Sequence, residues 1–176
     1  VEDNLALAEN LAELFEEEDL QALVCSRADD ALARARADGF AVAVVDLGLP
    51  DRSGVDLAGE LRTASPDSEV VLITGDATLA TAIAAVHKGV FAYVQKPFQP
   101  QDLLALVERA LTQVQLRRER TRLAAELAAS ERLYRGIVES AEELIVVVGG
   151  RATIHAWNGF AAVLTGCSPE EAQGTD

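Results

Sequence analysis

Four polar features of this sequence could do chemistry together: the acidic pair Glu2–Asp3, Asp46 after the run AVAVV, Thr74 after VVLI, and Lys96 shortly after AYV. Each alone has a bland explanation, since a lone aspartate after an apolar run can cap a helix or sit in a loop. Their joint position is the informative point: the carboxyl ends of parallel strands form the ligand crevice of an open α/β sheet. Bringing Glu2, Asp3 and Asp46 together is costly, because two like charges about 4 Å apart at an effective dielectric near 20 repel by about 4 kcal/mol. Lys96 offers one cation. Three carboxylates and an incoming phosphoryl group exceed its capacity, so a hard divalent ion held by oxygen ligands is expected, magnesium or manganese in its place. In such a pocket an aspartate oxygen can attack phosphorus in line while metal and ammonium neutralise the equatorial oxygens, giving an aspartyl phosphate.

Short apolar runs alternate with amphipathic stretches from Asn4 to about Asp102, the pattern of a parallel sheet covered by helices on both faces. The fold class is α/β. Asn4 is the expected N-cap of a first helix that carries Leu5, Leu7, Ala8, Leu11, Ala12, Leu14 and Phe15. Strands are expected at Ala22–Cys25, Ala41–Val45, Val70–Ile73 and Phe91–Val94. Helices are expected at Ala28–Ala37 before Gly39, Val55–Ala64 before Pro66, and Thr78–His87 before Gly89.

From Gln101 to about Tyr134 no Gly or Pro interrupts a helix-favouring stretch, longer than such a domain needs. Leu104, Val107, Leu111 and Val114 form one apolar seam, read as packing on the sheet domain; Leu116, Leu123, Leu127, Tyr134 and Ile137 form a second, with the register shifting near Arg117–Arg118. The second seam fits either a short dimeric coiled coil or a solvated linker helix. After Gly136 the pattern changes to a hairpin, Leu144–Val148 and Ala152–Trp157 around Gly149–Gly150, followed by a short helix from Asn158 to Leu164.

The net charge of −14, from 15 Lys and Arg against 29 Asp and Glu, disfavours contact with nucleic acid or anionic membranes. Cys25 and Cys167 lie far apart without ligand spacing, which points to a reducing, cytoplasmic setting rather than a disulfide framework or zinc site. No apolar run approaches the roughly eighteen residues of a membrane span.

VEDN at 1–4, VVDLGLPDRSG at 44–54, ITGDAT at 73–78 and YVQKPF at 93–98 strongly resemble bacterial two-component response-regulator receiver domains, the CheY-like superfamily. The resemblance covers residues 1–114. It implies a flavodoxin-like, five-stranded sheet of order 2-1-3-4-5, with a sensor histidine kinase or phosphotransfer protein as partner and Asp46 as phosphoacceptor. It further implies that Glu2, Asp3, Asp46 and the backbone carbonyl of Gly48 hold the metal, and that Lys96 contacts the phosphoryl group. Thr74 would bond that group in the active state, Tyr93 would be the aromatic switch, and the Lys96–Pro97 bond would be cis. Pro50 and Gly54 match the turn after the aspartate, and small Gly75 leaves room for the phosphoryl group. One departure is that a single residue, Val1, precedes the acidic pair where the family has a buried first strand. Asp76 borders the pocket as either a tuner of phosphoryl hydrolysis or a solvated loop acid.

ERLYRGIVESAEELIVVV and ATIHAWNGFAAVLTGCSPEEAQG resemble the opening of a PAS domain, assigned here to 136–176 after a 115–135 linker. Its later elements are not among these residues, so no complete cofactor site is expected, and Trp157 and Phe160 are read as core. The resemblance suggests part of a hybrid sensor kinase or a similar signalling protein; the coiled-coil reading of the seam would make a homodimer through 104–137. Two other readings compete. An aspartate-nucleophile phosphohydrolase expects a second acid where Gly48 stands, and a phosphorylation-silent interaction module would dimerise without responding to phosphate. His87 and His155 lack the surroundings of a kinase phosphoacceptor.

Overall fold

The computed structural model describes residues 1–75, 83, 85–150 and 153–172. They fall into two compact units, Val1–Glu119 and Arg120–Asp176. In the first unit the order is α1 (Leu5–Glu17), α2 (Ala28–Asp38), β1 (Val42–Asp46), α3 (Gly54–Ala64), β2 (Glu69–Thr74), β3 (Ala92–Gln95) and the start of α4 (Pro100–Ser140). Asn4 caps α1 by accepting from the Leu7 amide at 3.2 Å, Ser53 caps α3 through the Val55 amide, and α2 ends at Gly39 with φ 69°. The expected helix Thr78–His87 lies mostly outside the described residues; 85–87 are helical.

The sheet is parallel, with β2 between β1 and β3. Every residue of β2 is buried, and its alternation builds two cores. Val70 and Leu72 face α2 and α3 among Ala31, Leu32, Leu57 and Leu61. Val71 and Ile73 face the other way, against Leu11 of α1 and Leu103 of α4. Each fully buried Leu or Ile contributes about 1.5–3 kcal/mol relative to exposure. On α4 the buried stripe is Leu103, Val107, Ala110 and Val114; the expected Leu104 and Leu111 are half-buried beside it.

The expected strand Ala22–Cys25 is not formed. The Glu2 amide donates to Cys25 O at 3.0 Å, the Asp46 amide donates to Val1 O at 2.9 Å, and the Val1 nitrogen donates to Val44 O at 2.6 Å. Val1 and Glu2 thus hold a strand's position beside β1. In line with them lies a cavity of about 460 Å³ lined by apolar groups including Leu11, Ala22, Cys25, Ala35 and Val42, and Leu23 and Val24 are exposed. Three of the five expected strands are therefore present among the described residues.

In the second unit β4 (Val146–Val148) and β5 (Ile154–Trp157) pair antiparallel, followed by α5 (Gly159–Thr165) and α6 (Pro169–Ala172). Trp157 is half-buried and donates to Cys167 O at 3.0 Å. Phe160, expected in the core, is 37% exposed on α5. Fully buried Asn158 organises the unit: its Oδ1 accepts from the Ile145 and Ala161 amides, and its Nδ2 donates to Val138 O and Glu143 O. Among the described residues no helix is long and apolar enough to cross a membrane.

Asn158→Ala orphans these buried donors and acceptors at about 1–3 kcal/mol for each unsatisfied group. The expected outcome is loss of the second unit's cooperative melting, followed by Trp157 fluorescence, while the far-ultraviolet signal of the first unit persists.

Candidate functional site

Sheet register brings the expected residues together. Asp46 is paired with Ile73, so β1 and β2 end at Asp46 and Thr74 on one edge; Thr74 pairs with Gln95, which puts Lys96 just beyond β3 on that edge. The Lys96 amide donates to Thr74 O at 2.6 Å and the Leu47 amide to Ile73 O at 2.9 Å, extending the sheet past its ladder. The backbone bonds of Val1 and Glu2 carry Glu2 to the same edge.

Glu2 and Asp46 are buried, at 4% and 7% exposure. The Lys96 ammonium donates to Glu2 Oε2 at 2.7 Å and lies 3.2 Å from Asp46 Oδ1. Burial pushes this ammonium's pKa down, but the bonds and charges of Glu2 and Asp46 outweigh it and hold the pKa above its ordinary value. One carboxylate oxygen from each of Glu2, Asp3 and Asp46 lies within 4.8 Å of the others, with Asp3 on the exposed side. This all-oxygen set suits a hard divalent cation that keeps part of its water. Gly48 lies alongside, since a Cβ there would stand 3.6 Å from Asp46 Oδ2. Thr74 is buried at the strand end, Tyr93 is half-buried against the α2–α3 core, and the Lys96–Pro97 bond is cis. Asp76 lies outside the described residues.

Two further residues shape the loop after Asp46. Gly54 starts α3 so close to β1 that a Cβ would fall 2.1 Å from the Asp46 carbonyl oxygen, and its amide donates to Leu47 O. Asp51, which the sequence does not single out, accepts from the Ala28 and Asp29 amides, each at 3.1 Å, and so caps α2 from the loop. Burial raises its pKa, yet these two amides and the charge of Arg27 prevail and hold it below the usual carboxylate value. Arg52 pairs with Asp29 and Glu60, tying the same loop to α2 and α3.

The model of the response regulator receiver domain matches residues 1–108, and the chain belongs to that family. Its fold is the CheY-like α/β receiver fold. The chain is 31% identical over 121 residues to the nitrogen assimilation regulatory protein NtrX of Azorhizobium caulinodans, covering 68% of this chain and 27% of that one. It is 37% identical over 68 residues to the DNA-binding transcriptional regulator NtrC of Azospirillum brasilense, covering 39% and 14%. The chain therefore spans well under a third of either relative. Among solved structures, a Burkholderia pseudomallei response regulator with a phosphorylated aspartic acid, calcium ion and citrate superposes with a TM-score of 0.58 at 32% identity, covering 66% of this chain and 69% of that one. Membership implies phosphorelay signalling.

Two outcomes are expected here. Gly54→Ala has no room without moving Asp46, so it lowers the first unit's urea midpoint and weakens any ligand binding at the pocket, read by isothermal titration with magnesium. Asp51, with its depressed folded pKa, contributes stability that is fully present above the unfolded carboxylate pKa and is lost as pH falls through the folded value. Asp51→Asn should therefore flatten the acid limb of a melting-temperature profile below about pH 4, the ordinary aspartate pKa; an unchanged limb refutes the cap's contribution.

Proposed function

We propose that Asp46 accepts a phosphoryl group from a phosphohistidine of a sensor kinase or phosphotransfer protein, and that this state is relayed along the linking helix to a downstream sensor or effector region. The observation that carries this reading is the Lys96 ammonium held between Glu2 and Asp46, with Asp3 completing a three-carboxylate pocket. The aspartate oxygen forms the new bond to phosphorus as the phosphorus–nitrogen bond to imidazole breaks, and the freed imidazole nitrogen takes a proton. Lys96 neutralises charge on the transferred group. Glu2, Asp3, Asp46 and the Gly48 carbonyl would hold magnesium or manganese, which supplies further positive charge at the transferring oxygens. Thr74 would bond the phosphoryl group, and Tyr93 would move with it as the switch.

In this reading residues 1–114 are the phosphoacceptor domain, 115–135 the signalling linker, and 136–176 the beginning of a PAS domain in a multidomain protein such as a hybrid kinase. The cavity beside β1 supports the five-stranded order 2-1-3-4-5, because it lies where that order puts its first strand, between the second and the third. DNA binding, named for the NtrC relative, is not carried over; a net charge of −14 opposes it in this chain. Exposed Leu116, Leu123, Leu127, Tyr134 and Ile137, at 51–68%, favour a homodimer through 104–137. The same seam favours the second reading, a phosphorylation-silent interaction module.

Incubation with acetyl phosphate and magnesium should add one phosphoryl group to the wild-type chain by intact mass and none to Asp46→Asn. Equal behaviour of the two refutes the phosphoacceptor assignment. Light scattering with and without beryllofluoride separates the readings, because a mass that never responds supports the silent module.

A further inference from the structure

Glu69 begins β2 at the edge of the sheet opposite the acidic pocket, and it is 2% exposed. Both of its oxygens are engaged. Oε1 accepts from Gln113 Nε2 at 3.0 Å and Arg117 Nη2 at 2.7 Å, both on α4; Oε2 accepts from Arg62 Nη1 at 3.0 Å, at the end of α3. Arg62 also donates to Gly89 O, in the turn before β3. One carboxylate thus joins α3, β2, that turn and the part of α4 that leaves the buried stripe after Val114. Arg117 and Arg118 reach back further, to Pro66 O and Phe40 O.

A buried carboxylate is a poor way to gain stability. Its desolvation offsets most of the Coulombic gain, and a well-packed apolar side chain commonly does as well. What it adds is direction: charge-assisted bonds to a planar guanidinium and an amide hold in one geometry, whereas an apolar contact tolerates sliding. We propose that Glu69 is a latch that fixes the Gln113–Glu119 segment of α4 onto the first unit and so sets where the linker helix departs. The latch acts in the resting chain and needs no phosphoryl group.

The test is hydrogen exchange by mass spectrometry on the full chain, comparing α4 peptides covering 103–110 and 113–119 with the core strand 70–73. Glu69→Gln and the milder Arg117→Gln should each speed exchange at 113–119 at least tenfold while 103–110 and 70–73 keep their protection. The double variant should exchange more slowly than the product of the two single effects predicts, since the Arg117–Glu69 bond is lost in each. Uniform acceleration across all three peptides, unchanged exchange at 113–119, or multiplying effects in the double variant would each overturn the latch. Phosphorylation of Asp46 is scored separately by mass, so failure of the phosphoacceptor reading leaves this result interpretable.

Discussion

Mutual repulsion of Glu2, Asp3 and Asp46 is the constraint on which the pocket depends, and Lys96 is the group that makes their approach tolerable. Its ammonium touches Glu2 and Asp46 directly, while Asp3 stays towards solvent. A site that gathers more negative than positive charge is poised for a cation and for a group that brings its own counter-charge. Burial on both faces of β2 prevents the pocket from relaxing by letting its strands slide, because a one-residue slip would turn Val71 and Ile73 into the opposite core.

Support for the site is uneven. Asp46, Thr74 and Lys96 stand at the ends of paired strands whose ladder bonds run continuously behind them. Glu2 and Asp3 rest on three backbone bonds made by Val1, Glu2 and Asp46, beside a largely apolar cavity. The loop after Asp46 is held from two sides, by Gly54 lying under the Asp46 carbonyl and by Asp51 capping α2. Movement of α2 would therefore reach Gly48 through a short covalent path.

Much of this arrangement was legible in the sequence for physical reasons that can be named. Compact apolar runs ending in Asp46 and Thr74 and just before Lys96 declare buried parallel strands, and those strands must share an edge, which assembles residues up to fifty positions apart. Ala22–Cys25 has the same local character and yet is not a strand, because strandedness is a property of the pair and not of the run alone. Glu69, Asp51 and Asn158 escaped notice for a related reason. Each looks like an ordinary polar residue until its partners are known: Arg62 and Arg117 for the first, the α2 amides for the second, and carbonyls up to twenty residues away for the third. Phe160 failed in the opposite direction, since an aromatic ring on a short helix is core only if something packs over it.

The change of character along α4 follows from the same logic. Its buried stripe, Leu103, Val107, Ala110 and Val114, advances by four, three and four residues, so the next positions on that face are Arg117 and Arg118. Their stems can follow the apolar surface while their heads reach polar groups, and their partners are Glu69 and the backbone of Pro66 and Phe40. The helix therefore passes from apolar to ionic attachment on one face, and its exposed apolar positions from Leu116 onward lie on another. In the proposed relay, control over the later seam would act through the position or rotation of the attached turn. That turn is held at the Glu69 end of β2, one strand length from the acidic edge at Thr74.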